Sequence, residues 1–136
     1  MPGLATRIRL LIIDDSADFQ LLVKTFLRDT NFFCLSAGDA LQATGIAVRE
    51  KPRIILLDIG LPGGDGVLLL DRLRANTHTH AIPIVVATAQ AAPNLEAKVL
   101  GKGAAAFLNK PIGQQILLET LQRVLEESTR AAITSH

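Results

Sequence analysis

Short runs of consecutive apolar residues alternate along the chain with stretches whose apolar residues recur every three or four positions. The first run, Ile8–Ile13, nearly continuous but for Arg9, reads as a strand and ends in Asp14-Asp15. Ser16 follows as a helix cap, after which Phe19, Leu22, Val23, Phe26 and Leu27 recur at helical spacing. A second strand is predicted over 32–37 and a weaker, alanine-rich helix over 39–50. Beyond Pro52, the run 53–57 predicts a third strand that ends in Asp58. Pro62 and the glycines at 60, 63, 64 and 66 make the next segment a loop. A helix over 67–73 is expected to turn Leu70 and Leu73 inward, and a fourth strand covers 83–88. A helix over 91–100 stops at Gly101 and Gly103, glycine being suited to the left-handed cap. A fifth strand over 104–108 and a helix over 113–127 complete the pattern, and 128–136 is expected to fray as a flexible tail.

Strands that are apolar throughout and separated by helices imply a parallel sheet covered on both faces. The expected fold is a three-layer α/β/α sandwich forming one domain over 1–136, with its core at about 7–127. Composition agrees: 49% of residues are apolar and 20% charged, enough to fill a core and too apolar for a disordered chain. Fourteen Lys+Arg against thirteen Asp+Glu leave a net charge of +1, so no basic excess is available for direct nucleic-acid binding. The single cysteine, Cys34, excludes an intramolecular disulfide and fits a small core residue in a reducing compartment. The longest stretch without Lys, Arg, Asp or Glu, 75–95, is broken by His78, His80, Pro83 and Pro93 and is no membrane span. No apolar signal region fits before Asp14, so a cytoplasmic domain is expected.

Ligands of an open parallel sheet bind beyond the carboxyl ends of its strands. At those ends stand Asp14 and Asp15, Asp58, Thr88, and Asn109-Lys110. Taken singly, an Asp after a strand is often a helix cap, a Thr there is usually structural, and a Lys before Pro is usually solvated. Taken together, three clustered carboxylates repel one another, and a divalent cation removes that penalty; all-oxygen ligands suit Mg²⁺. A carboxylate can also attack a phosphoryl group and hold it as an acyl phosphate, with Lys110, the Thr88 hydroxyl and the backbone N–H groups of Gly60 and Ala89 neutralising its oxygens. Spacing alone does not say which Asp is the nucleophile.

The residues that carry this chemistry resemble the receiver domain of two-component response regulators, in particular the single-domain chemotaxis type. The matching elements are Leu11-Ile12-Ile13-Asp14-Asp15-Ser16, Asp58-Ile59-Gly60-Leu61-Pro62-Gly63-Gly64-Asp65-Gly66, Pro83-Ile84-Val85-Val86-Ala87-Thr88-Ala89, and Gly103-Ala104-Ala105-Ala106-Phe107-Leu108-Asn109-Lys110-Pro111. Each is weak alone; four in this order, spanning about 7–127, are specific. The resemblance implies a flavodoxin-like sheet of five parallel strands in the order 2-1-3-4-5. It implies that Asp58 accepts a phosphoryl group from a phosphohistidine of a sensor histidine kinase or a histidine phosphotransfer protein. Mg²⁺, for which Mn²⁺ can substitute, would be held by Asp15, Asp58 and the Gly60 carbonyl, with Asp14 acting through a water. Lys110 would meet the phosphoryl group, the peptide bond to Pro111 would be cis, and Thr88 with Phe107 would form the switch that alters the surface of the fourth helix, fifth strand and fifth helix. Ala17, Leu21 and Pro111 would be candidate contacts for the phosphoryl donor.

Two positions that tune phosphoryl lifetime in this family are Gly60 and Gln90, and they lead us to expect a lifetime at neither extreme. The last helix, with Gln114, Gln115 and Glu119, lacks the dense charge pattern of regulators that dimerise through that face, so a monomer or weak dimer is expected. The chain would catalyse only its own phosphorylation and dephosphorylation. About ten residues follow the last predicted helix, room for no output domain, which suggests a stand-alone regulator or a receiver excised from a longer protein such as a hybrid kinase. A relay intermediate or phosphate sink is the main alternative, and a binding-only receiver a remote one. A phosphatase of the haloacid dehalogenase type would need a second Asp where Gly60 stands. His78-Thr79-His80 reads as a solvated loop, and the glycines around Asp65 form no nucleotide fingerprint.

Overall fold

A computed structural model describes residues 7–61, 66–90 and 92–134. The elements follow one another as β1 (Ile8–Ile13), α1 (Ala17–Phe26), β2 (Phe32–Ala37), α2 (Ala40–Glu50), β3 (Ile54–Leu57), α3 (Gly66–Ala75), β4 (Ile84–Thr88), α4 (Leu95–Gly101), β5 (Ala106–Asn109) and α5 (Gln114–Thr134). All strand pairs are parallel, and the sheet order is β2-β1-β3-β4-β5, the flavodoxin-like arrangement. Both faces are covered. On one, Leu11, Ile13, Ile55, Leu57, Ile84 and Val86 pack against α2, α3 and α4. On the other, Leu10, Ile12, Ile54, Leu56, Val85 and Ala87 pack against α1 and α5. Successive strand residues point to opposite faces, so double burial requires the continuous apolar runs seen in the sequence.

Leu11 is 0% exposed on β1, which is flanked by β2 and β3. Leu11→Ala is expected to cost about 2–5 kcal/mol in urea denaturation, the transfer loss plus the cavity left behind. Leu41→Ala on α2 removes a side chain that is 86% exposed and should stay within about 0.5 kcal/mol of the parent.

Two helix boundaries differ from the periodic pattern by about a turn or more. The pattern starts the fourth helix at residue 91, but α4 begins at Leu95, because Pro93 and the left-handed Asn94 (φ 64°) precede it. At the other end α5 continues past Glu127 to Thr134 instead of giving way to a tail. Apolar spacing fades there, but Glu126, Glu127, Arg130, Ala131 and Ala132 are good helix formers and carry the helix on. Of the two glycines that end the pattern of the fourth helix, Gly101 is the last residue of α4 and Gly103 takes the positive φ, at 101°. Gly66 has a different role: a Cβ there would lie 2.1 Å from the Ile59 backbone, so α3 abuts the segment after β3 only through a residue without a side chain. The glycine loop before it, 62–65, lies outside the described residues. No helix among the described residues is long and apolar enough to cross a membrane.

Candidate functional site

The sheet itself delivers the polar residues to one edge. Asp14 N–H donates to the Ala37 carbonyl at 3.0 Å, Asp58 N–H to the Ile13 carbonyl at 2.9 Å, and Lys110 N–H to the Thr88 carbonyl at 3.0 Å. Each residue just past its strand is thereby held by the end of the neighbouring strand. Asp14, Asp15 and Asp58 each bring a carboxylate oxygen within 4.8 Å of the others. Lys110 Nζ lies 2.6 Å from Asp14 Oδ2 and 3.1 Å from Asp58 Oδ2. The second Asp58 oxygen, Oδ1, accepts from the Gly60 N–H at 2.8 Å. Asp14 Oδ1 accepts from the Ser16 N–H at 2.8 Å, and Ser16 Oγ in turn caps α1 by accepting from the Phe19 N–H at 3.1 Å.

Burial divides the carboxylates. Asp15 is exposed, Asp58 is partly buried, and Asp14 is 2% exposed. Burial pushes the Asp14 carboxyl above the ordinary value of 3.8, outweighing the hydrogen bonds from Lys110 and Ser16 that pull it down, while the charge of Asp58 adds to the rise. A raised carboxyl means that the folded protein disfavours the ionised form, so Asp14's contribution to stability falls as pH climbs from 3.8 through the raised value. Asp14→Asn is therefore expected to raise the urea midpoint at neutral pH in metal-free buffer, with the gain shrinking as pH is lowered through that range. A neutral-pH loss of stability would show that Lys110 pairing outweighs burial.

The donor set fits a hard divalent cation. Three carboxylates and one ammonium leave two net negative charges, and the oxygens are all within 4.8 Å of one another. Two oxygens on one Mg²⁺ are at most about 4.2 Å apart, twice the usual bond length, so small side-chain rotations suffice to gather them.

Thr88 is buried at the end of β4, and its Oγ1 accepts from the Gln90 N–H at 3.2 Å. Phe107 on β5 pairs with Val86, which places its half-buried ring on the face that Val86 and Thr88 share. Ala89 is exposed and, with Asp18, Phe19, Leu22, Lys110, Pro111 and Ile112, lines a groove of about 360 Å³ beside the carboxylates. The Lys110–Pro111 peptide bond is cis. Ala17 and Leu21 are exposed on α1, and Leu22, which the helical stripe turns inward, is 39% exposed at the groove instead. A Gly60 Cβ would lie 3.2 Å from Asp58 Oδ1 and 3.3 Å from Gln90 Nε2, so those two side chains flank the same small space. His78 and His80 are exposed, but Thr79 between them is buried and its hydroxyl donates to the Leu73 carbonyl at 2.7 Å.

Two residues at the site escape a one-dimensional reading. Gln20 is buried, and its Nε2 lies 2.9, 3.2 and 3.3 Å from the carbonyls of Ile12, Asp14 and Ala37, tying together the ends of β1 and β2. Its one advance signal is an amide among the apolar residues of α1. Phe19, expected only as part of the apolar stripe, places its ring centroid 4.0 Å from Lys110 Nζ.

A five-stranded parallel sheet with carboxylates and a lysine gathered at its carboxyl edge defines the receiver class, and comparison with known proteins agrees. Residues 10–122 match the family model of the response regulator receiver domain, and the chain belongs to that family. It is 34% identical over 119 residues to the phosphate regulon transcriptional regulatory protein PhoB of Pseudomonas aeruginosa, covering 88% of this chain and 52% of PhoB. It is 33% identical to protein PilH of the same organism, covering 86% of this chain and 97% of PilH. The chain thus spans about half the length of PhoB and nearly all of PilH. Among solved structures, the receiver domain of a LuxO repressor protein from Vibrio parahaemolyticus superposes with a TM-score of 0.86 at 27% identity, covering 96% of this chain and 98% of that one. The chemotaxis protein CheY4 of Vibrio cholerae superposes with a TM-score of 0.80 at 27% identity, covering 87% and 98%.

Proposed function

We propose that this chain is a phosphorylatable receiver, in which Asp58 takes a phosphoryl group from a phosphohistidine donor and the altered site changes a partner-binding surface. The observation that carries this reading is the meeting of Asp14, Asp15 and Asp58 with Lys110 at the carboxyl edge of a parallel sheet. An Asp58 carboxylate oxygen attacks phosphorus, the P–N bond breaks, and its electron pair leaves with the imidazole of the donor. Asp15, Asp58 and the Gly60 carbonyl would hold Mg²⁺, with Asp14 contributing through a water; when bound, the ion neutralises phosphoryl oxygens. Lys110 moves from its carboxylate partner to a phosphoryl oxygen, the Thr88 hydroxyl donates to another, and the Ala89 N–H completes the set. Drawing Thr88 toward the new charge vacates space on the face it shares with Phe107, which couples the site to α4, β5 and α5.

The donor is a sensor histidine kinase or histidine phosphotransfer protein, docking across Ala17 and Leu21 of α1 and Pro111 beside the groove. The chain acts catalytically only on itself, and it works in the cytoplasm. Incubation with acetyl phosphate should add one phosphoryl group, read by intact mass, in the presence of Mg²⁺ and none in EDTA. No addition under either condition, with the circular dichroism of a folded α/β domain, would overturn the reading in favour of a binding-only receiver.

A further inference from the structure

Phe19 contacts Lys110 in a way that the receiver chemistry described above leaves unused. The ammonium has three N–H donors; Asp14 at 2.6 Å and Asp58 at 3.1 Å take two, and the Phe19 ring centroid, 4.0 Å from the nitrogen, stands as a third neighbour. That distance is well inside the 6 Å or so over which a ring's quadrupole attracts a cation. The contact is also sheltered, because the Lys110 side chain is 17% exposed and Phe19 is half-buried. Phe19 is fixed from below by its own backbone, whose N–H donates to the capping Ser16 hydroxyl at 3.1 Å. Its place on the first turn of α1 is thus tied to the Asp14-Asp15-Ser16 segment that supplies the carboxylates.

We propose that Phe19 is a positioning residue for phosphoryl transfer, holding the Lys110 ammonium by a cation–π contact while the lysine exchanges a carboxylate oxygen of Asp58 for a phosphoryl oxygen. The inference rests on the assignment of Asp58 as acceptor. Before reaction two carboxylates hold the ammonium, and the ring adds little. As the new bond forms, Asp58 shares its negative charge with the incoming group and one of the two carboxylate anchors weakens. The ring has no such dependence on Asp58, so it keeps the ammonium in place while that anchor weakens and spares the reaction the entropy of re-localising it, which is how a positioning contact affects rate. A hydrogen bond would fix the ammonium on one acceptor; the face of a ring constrains its place while leaving its N–H groups free to turn.

The test replaces Phe19 alone, among the five phenylalanines, by mono-, di- and trifluorophenylalanine, which weaken the quadrupole at nearly constant shape. The maximal rate of phosphorylation by acetyl phosphate should fall stepwise along the series, with little change in half-saturation. Phe19→Leu should be about 2- to 30-fold slower than wild type, the span from an exposed to a desolvated cation–π contact. Independently, in the metal-free, unphosphorylated protein, the ε-methylene protons of Lys110 should resonate upfield under the ring current and return downfield in Phe19→Leu. A flat rate across the fluorinated series, or unshifted Lys110 ε-protons in the wild type, overturns the proposal. A wild type that takes up no phosphoryl group overturns the acceptor assignment and the catalytic consequence with it, while the ε-proton shift alone still decides whether the contact exists.

Discussion

Asp58→Asn is expected to take up no phosphoryl group from acetyl phosphate while keeping the fold of the parent. The substitution is nearly isosteric, and its amide oxygen can still accept from the Gly60 N–H that now reaches Asp58 Oδ1 at 2.8 Å. What disappears is the nucleophile, since an amide oxygen carries no full charge and the anhydride-like acyl phosphate cannot form from it. The neighbours are poor substitutes. Asp14 is 2% exposed, its carboxyl is raised by burial, and one of its oxygens is paired with Lys110 at 2.6 Å. Asp15 is exposed but lacks the Lys110 contact that Asp58 has at 3.1 Å. Intact mass after incubation with Mg²⁺ and acetyl phosphate checks this directly, and uptake near the wild-type level would move the nucleophile elsewhere.

Lys110→Ala should produce the second large effect, with a kinetic and a thermodynamic part. Its ammonium touches both Asp14 and Asp58, whose side chains are 1% and 12% exposed, so its loss leaves carboxylates buried together without a cation. Removing one partner of a largely buried ion pair costs about 3 kcal/mol, the low end of the usual range being apt where the lysine retains 17% exposure. Urea denaturation in metal-free buffer measures that loss, and Mg²⁺ should restore much of it by supplying the missing positive charge. The kinetic part is a slowing of phosphoryl uptake by about 10²-fold, the scale of losing one preorganised electrostatic partner of the transferring group. Unchanged stability in metal-free buffer would mean that solvent already screens the cluster.

Much of this was legible in one dimension because the sheet is buried on both faces. β3 is apolar at every position, as are β1 after Arg9 and β4 up to Thr88, and each such run ends abruptly at the polar residue that matters: Asp14, Asp58 and Thr88. The α1 cap was equally plain, since Ser16 precedes a helical stripe. Helix ends that depend on backbone conformation or on intrinsic propensity were not, as the late start of α4 after Asn94 and the continuation of α5 beyond Glu127 show. Nor were contacts between elements distant in sequence. Gln20 bridging β1 and β2, and Phe19 over Lys110, join residues whose meeting depends on the angle of α1 across the sheet, which no periodicity encodes. Leu22 shows the same limit in reverse, lying on the apolar stripe yet opening onto the groove beside Lys110.

The most direct measurement locates the phosphoryl group. Protein incubated with Mg²⁺ and acetyl phosphate is reduced with borohydride, which converts an aspartyl phosphate to homoserine, and is then digested with trypsin and sequenced by mass spectrometry. The account predicts homoserine at position 58 in the peptide covering 54–72 and at no other aspartate. Homoserine at Asp14 or Asp15, or none anywhere in a folded and Mg²⁺-loaded protein, would contradict it.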